Sequence, residues 1–577
     1  MSTQPSTTPS TDSSNDPSTS PSTGTTQPRP HVTHEVVNQP PPRVDVDESA
    51  HDVALLEAVR RHDAGWAVGE LHEIGTLVGS ASFQQDAALA NTVTPVLRAV
   101  DRWGNRVDEV DYHPAYHRII GAAVAHGAHT SAWAQPRPGA NVARAAAFML
   151  FAQVEPGHAC PVSMTHAAVP TLALQPDVAA QWLPRLMSRD YAGELGDATK
   201  PSALVGMAMT EKQGGSDVRA NTTVAVPAGA GGPGATYLLT GHKWFCSAPM
   251  SDAFLVLAQA TGPGGEGLTC FLVPRVLPDG TRNVFRVQRL KDKLGNRSNA
   301  SAEIELDGTV AAMVGEPGRG VRTIIEMVNR TRLDCVLGTA AGMRQSVAEA
   351  MWHARHRSAF GRVLVDQPAM AAVLADLALE SEAATATAMR LARAHDDDAG
   401  DEHFRRLATA VSKYWICKRG PHHSYEAMEC LGGNGYTEEF PLARRYREQP
   451  VLAVWEGSGN VIALDVLRAL HREPESLDAF DAEVALARGG HRLLDAHLDR
   501  LASDVRAILA VAPADAERGV RRLVEAMALA LQASLLVRFA PAPVSDAFVT
   551  SRLGPDRSHE YGALPSGADV GVVLARW

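Results

Sequence analysis

From about residue 203 to 310 the helical spacing of apolar residues gives way to short strand-like runs. Leu204 to Met209, Tyr237 to Ser247, Phe254 to Gln259, Leu268 to Val273, Val284 to Leu290 and Ala302 to Leu306 are separated by glycine and polar turns. That pattern predicts a compact, mostly antiparallel β domain. The sequence on both sides is rich in Ala and Leu at helical period. The chain is therefore expected to set one β domain between helical regions, an α+β architecture.

The same reading divides the chain. Residues 1–34 are almost all Ser, Thr, Pro and other polar types, too poor in apolar surface to offset the entropy of ordering, and are expected to be disordered. Residues 35–202 form a helical N-terminal domain, with Val53 to Val68, Leu71 to Ser80, Phe83 to Trp103, Ala123 to Ala134 and Ala143 to Ala152 read as helical. Val154 to Val169 reads as a turn followed by a helix. The β domain spans 203–310. Residues 311–470 form a helical bundle: Gly318 to Ala341 continued by Met343 to His356, then Gln367 to Arg393 and Phe404 to Cys430, interrupted at Phe360-Gly361. Residues 471–577 are a helical extension of two long helices, Leu477 to Leu509 and Gly519 to Phe539.

Composition excludes several classes. The net charge of −11 argues against a surface built wholly for nucleic acid. Six cysteines without a CxxC pair fit neither a disulfide framework nor a thiolate metal site. No run of 18 uncharged apolar residues predicts a membrane span, and the first residues lack the order of a secretion signal. A reducing, cytoplasmic setting is expected.

Two stretches carry candidate chemistry. Leu431 to Asn460 opens on a glycine turn and ends in Trp455-Glu456-Gly457-Ser458-Gly459-Asn460. Glu456 lies between an apolar run and two glycines, where partial desolvation raises a carboxyl pKa and improves it as a base; a turn or capping carboxylate is the plain alternative. The loop Thr210 to Asp217 follows a strand but is no GxGxxG fingerprint; its backbone N–H groups can cradle an anion or a polar ring. His113 and His117, four apart, are read as a hydrogen-bonded structural pair rather than metal ligands, and no metal is expected.

These segments together resemble the acyl-CoA dehydrogenase family. The marks are AMTEKQGGSD at 208–217, LTGHKWFCSAPMSD at 239–252, RHRSAFGRVLVDQPAM at 355–370 and LGGNGYTEEFPLARRYREQPVLAVWEG at 431–457. The resemblance implies FAD held between the β domain and the bundle. It implies contacts to the cofactor from Met209, Thr210 and Ser216, with Phe245 where the family usually has a tryptophan and Ser247 where it usually has a threonine. Arg357, Phe360 and Gln367 match residues that reach the adenosine and pyrophosphate of FAD in a neighbouring subunit, and Gly432, Gly433 and Asn460 match backbone that approaches the cofactor. Glu456 matches the catalytic base, which removes the α proton of an acyl thioester while hydride leaves the β carbon for the flavin. Some members place the base on a bundle helix before an arginine. Thr331-Arg332 stand there in this sequence, and a threonine cannot act as that base. The family arrangement implies a homotetramer, a dimer of dimers.

Further marks, DRWGNRVDEVDYHPAYH at 101–117, WEGSGN at 455–460 and SRLGPDRSHEYGALP at 551–565, resemble the AidB-type flavoproteins of the bacterial response to DNA alkylation. That branch implies weak acyl-CoA turnover and association with double-stranded DNA. Two other readings stay open: a DNA-protective protein with little thioester turnover, and an oxidase that passes electrons to oxygen. Residues 471–577 carry 12 Arg, 15 Asp or Glu and no Lys, so any DNA contact needs a local cluster such as Arg518, Arg521 and Arg522, or Arg488, Arg492 and Arg500.

Overall fold

Strand Ala253–Ala260 is buried along nearly its whole length because its alternate residues feed two cores. Leu255 and Leu257 pack with Met164, Leu172 and Trp182 of the N-terminal helices. Phe254, Val256 and Ala258 pack with Tyr237, Phe271 and Ile304. In this computed structural model, which describes residues 33–577 apart from 198 and 556, the strand sits at the centre of a mixed sheet. The expected disordered tail lies outside the described residues except for Thr33 and His34. Residues 33–39 carry no helix or strand, and Pro40–Trp577 forms a unit of its own.

The sheet order is Val205–Ala208, Ala253–Ala260, Val224–Pro227, Thr236–Ser247, Ser301–Val314, Gly267–Pro274, with Arg286–Leu290 paired to Ser301–Val314. Ala253–Ala260 also pairs with Gly267–Pro274, which closes the sheet on itself. Most pairings are antiparallel, but Ala253–Ala260 runs parallel to both Val205–Ala208 and Val224–Pro227. Val224–Pro227 is absent from the strands read in the sequence; only four residues long, it gives too little alternation to see.

The helical regions share one continuous core. Helix Gly320–His356, 37 residues long, runs through it and packs against Ala140–Ala152, Pro368–Arg393 and Glu402–Glu429. Arg144 forks onto Asp334 across this seam, Nη2 to Oδ2 at 2.9 Å, with both groups buried. Two readings of the sequence are corrected. Phe83 to Trp103 is not one helical stretch: helix Ala81–Thr92 ends, and Val96–Val100 pairs with Arg106–Asp111 as a hairpin turning at Trp103 and Gly104. β-branched Val96 and Val100 and the turn at Asp101 to Asn105 decide it, with the Asp101 carboxylate accepting from the Trp103 and Asn105 backbone N–H groups. Likewise Leu477 to Leu509 is two helices, Pro474–Ala485 and Arg492–Ala510, broken at Gly489-Gly490, where Gly489 takes a φ of +81°.

Candidate active site

The WEGSGN segment forms the sharp link between helices Pro441–Val454 and Gly459–Arg472. Glu456 stands in it with a φ of +57°, a left-handed conformation that a non-glycine residue adopts only under constraint, and Gly457 follows at +109°. Three side chains supply the constraint. The Thr331 hydroxyl donates to Glu456 Oε2 at 2.8 Å, and the Arg332 Nε–H donates to the Glu456 carbonyl at 3.1 Å. Lys413 Nζ donates to the Trp455 carbonyl at 2.9 Å and to the Gly457 carbonyl. Below the turn, Cys335, Cys417 and Leu452 form a small core of their own with Trp455 packed on it.

Burial pushes the Glu456 carboxyl above the ordinary carboxylate range; the Thr331 hydrogen bond and the Arg332 and Lys413 charges oppose that rise. The result is a desolvated carboxyl on a rigid backbone. Thr331-Arg332, which cannot supply a base, instead holds the carboxylate and the carbonyl of the residue that can.

The polar floor next to Glu456 comes from the N-terminal and β regions. Cys160 lies within electrostatic reach of Glu456 and Lys293, with Ser247 and Asn299 nearby; burial pushes its thiol up to about 11. Ser247 Oγ is 3.0 Å from Ser301 Oγ. Lys293 Nζ donates to the Asn299 carbonyl at 2.6 Å and to Ser301 Oγ at 3.2 Å. Burial lowers Lys293 to about 8, against the opposing pull of Cys160, Glu448 and Glu155. Glu448, whose Oε2 accepts the Asn296 N–H at 2.7 Å, is pushed up to about 7 by burial and by Glu155.

The Thr210 to Asp217 loop is anchored from beneath. Glu211 and Lys243 form a fully buried pair at 2.7 Å, and Lys243 also donates to the Leu257 carbonyl. Glu211 further accepts from the backbone N–H groups of Thr222 and Thr223. Trp244 N–H donates to the Thr210 carbonyl at 2.8 Å, and Asn221 Nδ2 to the Met209 carbonyl at 2.9 Å. A Cβ on Gly215 would meet Thr210 Oγ1 at 2.6 Å, so only glycine lets the loop fold over that hydroxyl. Ser216 is exposed at the loop end, and Phe245 leaves 51% of its surface uncovered.

Other residues singled out in the sequence lie on separate elements. Ser358–Ala359 pairs with Arg362–Val363 as a minimal hairpin next to Arg357, with Phe360 at its tip, 98% exposed. Gln367 braces it by donating to the Ala359 carbonyl at 2.9 Å. Gly432 and Gly433 have open space where a Cβ would point, and Gly432 takes a φ of +59°. Asn460, exposed, lies near Arg521, whose Nε donates to Tyr414 Oη at 3.0 Å. Arg518, Arg521 and Arg522 are exposed on helix Pro513–Phe539, with Arg518 paired to Asp515; Arg488, 3.0 Å from Asp499, Arg492 and Arg500 are exposed near the preceding helix.

His113 and His117 do not bond each other. His113 Nδ1 accepts the Ala115 N–H and caps helix Pro114–Ala125, while His117 Nδ1 lies 2.8 Å from Tyr191 Oη. His422, Glu426 and Glu560 bring possible ligand atoms within 4.8 Å of one another, a grouping the sequence hides because Glu560 arrives from a distant loop. Lys293 and Lys413 also escaped sequence reasoning, whereas Cys160 falls in Val154 to Val169, whose small and sulfur-bearing residues read equally as pocket lining or as core. For Lys413 there was a signal: a lysine on the apolar face of a helix, between Ala410 and Cys417.

Comparison with known proteins matches the chain in three segments. Residues 38–193 match the Adaptive response protein AidB N-terminal domain, 206–309 the acyl-CoA dehydrogenase middle domain and 318–471 the acyl-CoA dehydrogenase C-terminal domain. The chain is 46% identical to AidB of Escherichia coli (strain K12) over 82% of its own length and 87% of the relative's. The chain belongs to the acyl-CoA dehydrogenase family, in its AidB-type branch. It is 30% identical to acyl-CoA dehydrogenase family member 11 of Caenorhabditis elegans, over 72% of this chain and 69% of that one. The solved structure of Caenorhabditis elegans ACDH-11 in complex with C11-CoA superposes with a TM-score of 0.80 at 26% identity, covering 95% of this chain and 93% of that one. An FAD-complexed acyl-CoA dehydrogenase from Bacillus anthracis shares the fold at 16% identity, with a TM-score of 0.60 over 76% of this chain and 79% of that one.

FAD is the cofactor of this family. The residues present suit it: an uncovered aromatic face at Phe245, hydroxyls at Thr210 and Ser247, open glycine backbone at 432–433 and an exposed aromatic at Phe360. No single helix among the described residues is long and apolar enough to cross a membrane.

Proposed function

We propose that the chain is an FAD-dependent oxidoreductase of acyl thioesters in which Glu456 is the α-proton base. The observation that carries this reading is the Glu456 carboxylate, desolvated, accepting from Thr331 at 2.8 Å and fixed in a left-handed turn. A base works best when its pKa approaches the working pH and its geometry is set before the substrate arrives. Glu456 takes the α proton on its carboxylate, and the acyl chain becomes an enoyl thioester. Bound FAD supplies the acceptor for the hydride leaving the β carbon. Met209, Thr210, Ser216, Phe245 and Ser247 would hold the flavin end, Arg357, Phe360 and Gln367 would reach the adenosine and pyrophosphate of a neighbouring subunit's cofactor, and Gly432, Gly433 and Asn460 would let the cofactor approach closely. The exposure of Phe360 suits its burial against a neighbouring subunit, in keeping with the homotetramer, a dimer of dimers, that the family arrangement implies. The buried thiols suit a reducing cytoplasm.

The test is anaerobic mixing of FAD-loaded protein with a panel of acyl thioesters, following the oxidised flavin band, then admitting air. Bleaching by some thioester is expected, and rapid return in air would assign oxygen as the acceptor. A flavin band that no thioester bleaches overturns the reading.

A second reading, association with double-stranded DNA as in an alkylation response, is favoured by Arg518, Arg521 and Arg522 standing exposed within about one turn of helix. Backbone contacts from such a cluster bind without base preference and weaken steeply with salt. Neutralising the three is expected to reduce duplex retention equally on unrelated sequences; no retention by the parent protein at low salt removes this reading.

A further inference from the structure

Lys413 is a buried charge for which the fold supplies no counter-ion among the described residues. It lies on the inner face of helix Glu402–Glu429, 1% exposed. Among the described residues no carboxylate comes within ion-pair distance of its Nζ. Its partners are the carbonyls of Trp455 and Gly457, one on each side of Glu456, with the Ala453 carbonyl at 3.5 Å. These groups lie at and just beyond the end of helix Pro441–Val454, where carbonyls lack intrahelical donors and the helix dipole favours a cation. A hydrated ammonium is costly to bury, and three carbonyls alone are a weak return for a full charge.

The surroundings of Glu456 show where the charge acts. Helix Gly320–His356 presents Thr331, Arg332 and Cys335 to the turn and helix Glu402–Glu429 presents Lys413, while Cys160 of helix Ala159–Ala173 lies within electrostatic reach of the carboxylate. Arg332 already carries a counter-ion: its Nη1 pairs with Asp465 at 2.8 Å, and Arg406 shares that carboxylate. Lys413 carries none. Both cations act on the Glu456 carboxylate, Arg332 more strongly, but Lys413 is the one without a counter-ion of its own among the described residues.

We propose that Lys413 is the positioning residue of the Glu456 base, clamping its left-handed turn through the flanking carbonyls and supplying the uncompensated positive charge the carboxylate faces. The proposal rests on Glu456 being the base. It makes proton abstraction depend on a side chain that touches neither thioester nor flavin. Electrostatically, loss of the charge leaves desolvation opposed only by Thr331 and by an Arg332 already paired.

FAD-loaded Lys413→Gln, Lys413→Met and Lys413→Arg test it. Gln keeps N–H donors without the charge, Met removes both, and Arg keeps both. The first readout is direct titration of the Glu456 carboxyl by infrared difference spectroscopy, assigned by its loss in Glu456→Gln. The second is the pH profile of anaerobic flavin reduction. In Gln and Met the carboxyl should stay protonated to higher pH, and the acidic limb of the reduction rate should move up with it. The rate near neutral pH should fall about tenfold or more. Arg should restore both. Glu456 titrating at the parent pH in Gln and Met overturns the proposal, as does equal loss of folding in Gln and Arg. If Met alone loses its fold, Gln and Arg decide. If the parent protein reduces with no thioester, the thioester reading fails while the infrared titration still decides the role of Lys413.

Discussion

Removal of the Lys243 ammonium should destabilise the Thr210 to Asp217 loop more than any nearby surface change. Lys243 and Glu211 are both fully buried at 2.7 Å. In Lys243→Met the Glu211 carboxylate keeps its bonds from Thr222 and Thr223 but loses its only ion-pair partner among the described residues. Breaking a buried pair from one side costs about 3–5 kcal/mol. Replacing both, as Lys243→Met with Glu211→Gln, removes the stranded charge and should recover about half of that loss. The pH dependence has a definite sign. Glu211 is held well below the ordinary carboxylate range, with Lys243 and the Thr223 hydroxyl opposing its burial. Its contribution is therefore present above the unfolded-state pKa and is lost as pH falls through the folded one. In Lys243→Met that depression weakens, so the deficit is greatest at neutral pH and shrinks as acid protonates the carboxyl. The assay is urea unfolding of FAD-loaded protein, followed by flavin release, across pH. A deficit below about 1 kcal/mol, or a double variant no more stable than the single, refutes the reasoning.

Thr331→Val removes a donor that opposes the raised pKa of Glu456, so the acidic limb of the flavin-reduction profile should move to higher pH while FAD remains bound. Glu448 is raised to about 7, so its stabilising protonated form is lost as pH rises from about 4.5 to about 7; Glu448→Gln should flatten that slope and gain up to about 3 kcal/mol above it, read by unfolding at two pH values. Phe360→Ala removes an aromatic proposed to be covered on assembly, and should weaken FAD retention about tenfold or more and shift the oligomer downward on gel filtration.

The sequence carried the architecture because each layer has its own period. Phe254 to Gln259 reads as a strand, and the bundle helices as long ones of helical period, from spacing alone; the structure extends that strand to Ala253–Ala260. Features of a few residues were hidden: the hairpin Val96–Val100 with Arg106–Asp111 carries too little alternation beside a helix, and a glycine pair at 489–490 splits what composition continues. At the candidate site, Glu456 stood out locally as a carboxylate between apolar residues and glycines, but the family resemblance, not that setting, raised it above a turn carboxylate. Its supports did not stand out. Thr331 and Arg332 come from one helix and Lys413 from another far along the chain, and only packing brings them to one turn. Thr331 is the instructive case: a residue that cannot be a base proved to hydrogen-bond the one that can.

The account turns on whether Glu456 takes the proton. Glu456→Gln keeps the size of the side chain and can still accept from Thr331, so FAD should remain bound. Single-turnover anaerobic reduction of parent and variant by the thioester that best reduces the parent is the direct measurement. A loss of about a hundredfold or more in the variant, with unchanged flavin content, is the predicted result. Reduction of Glu456→Gln at the parent rate would contradict the account at its centre.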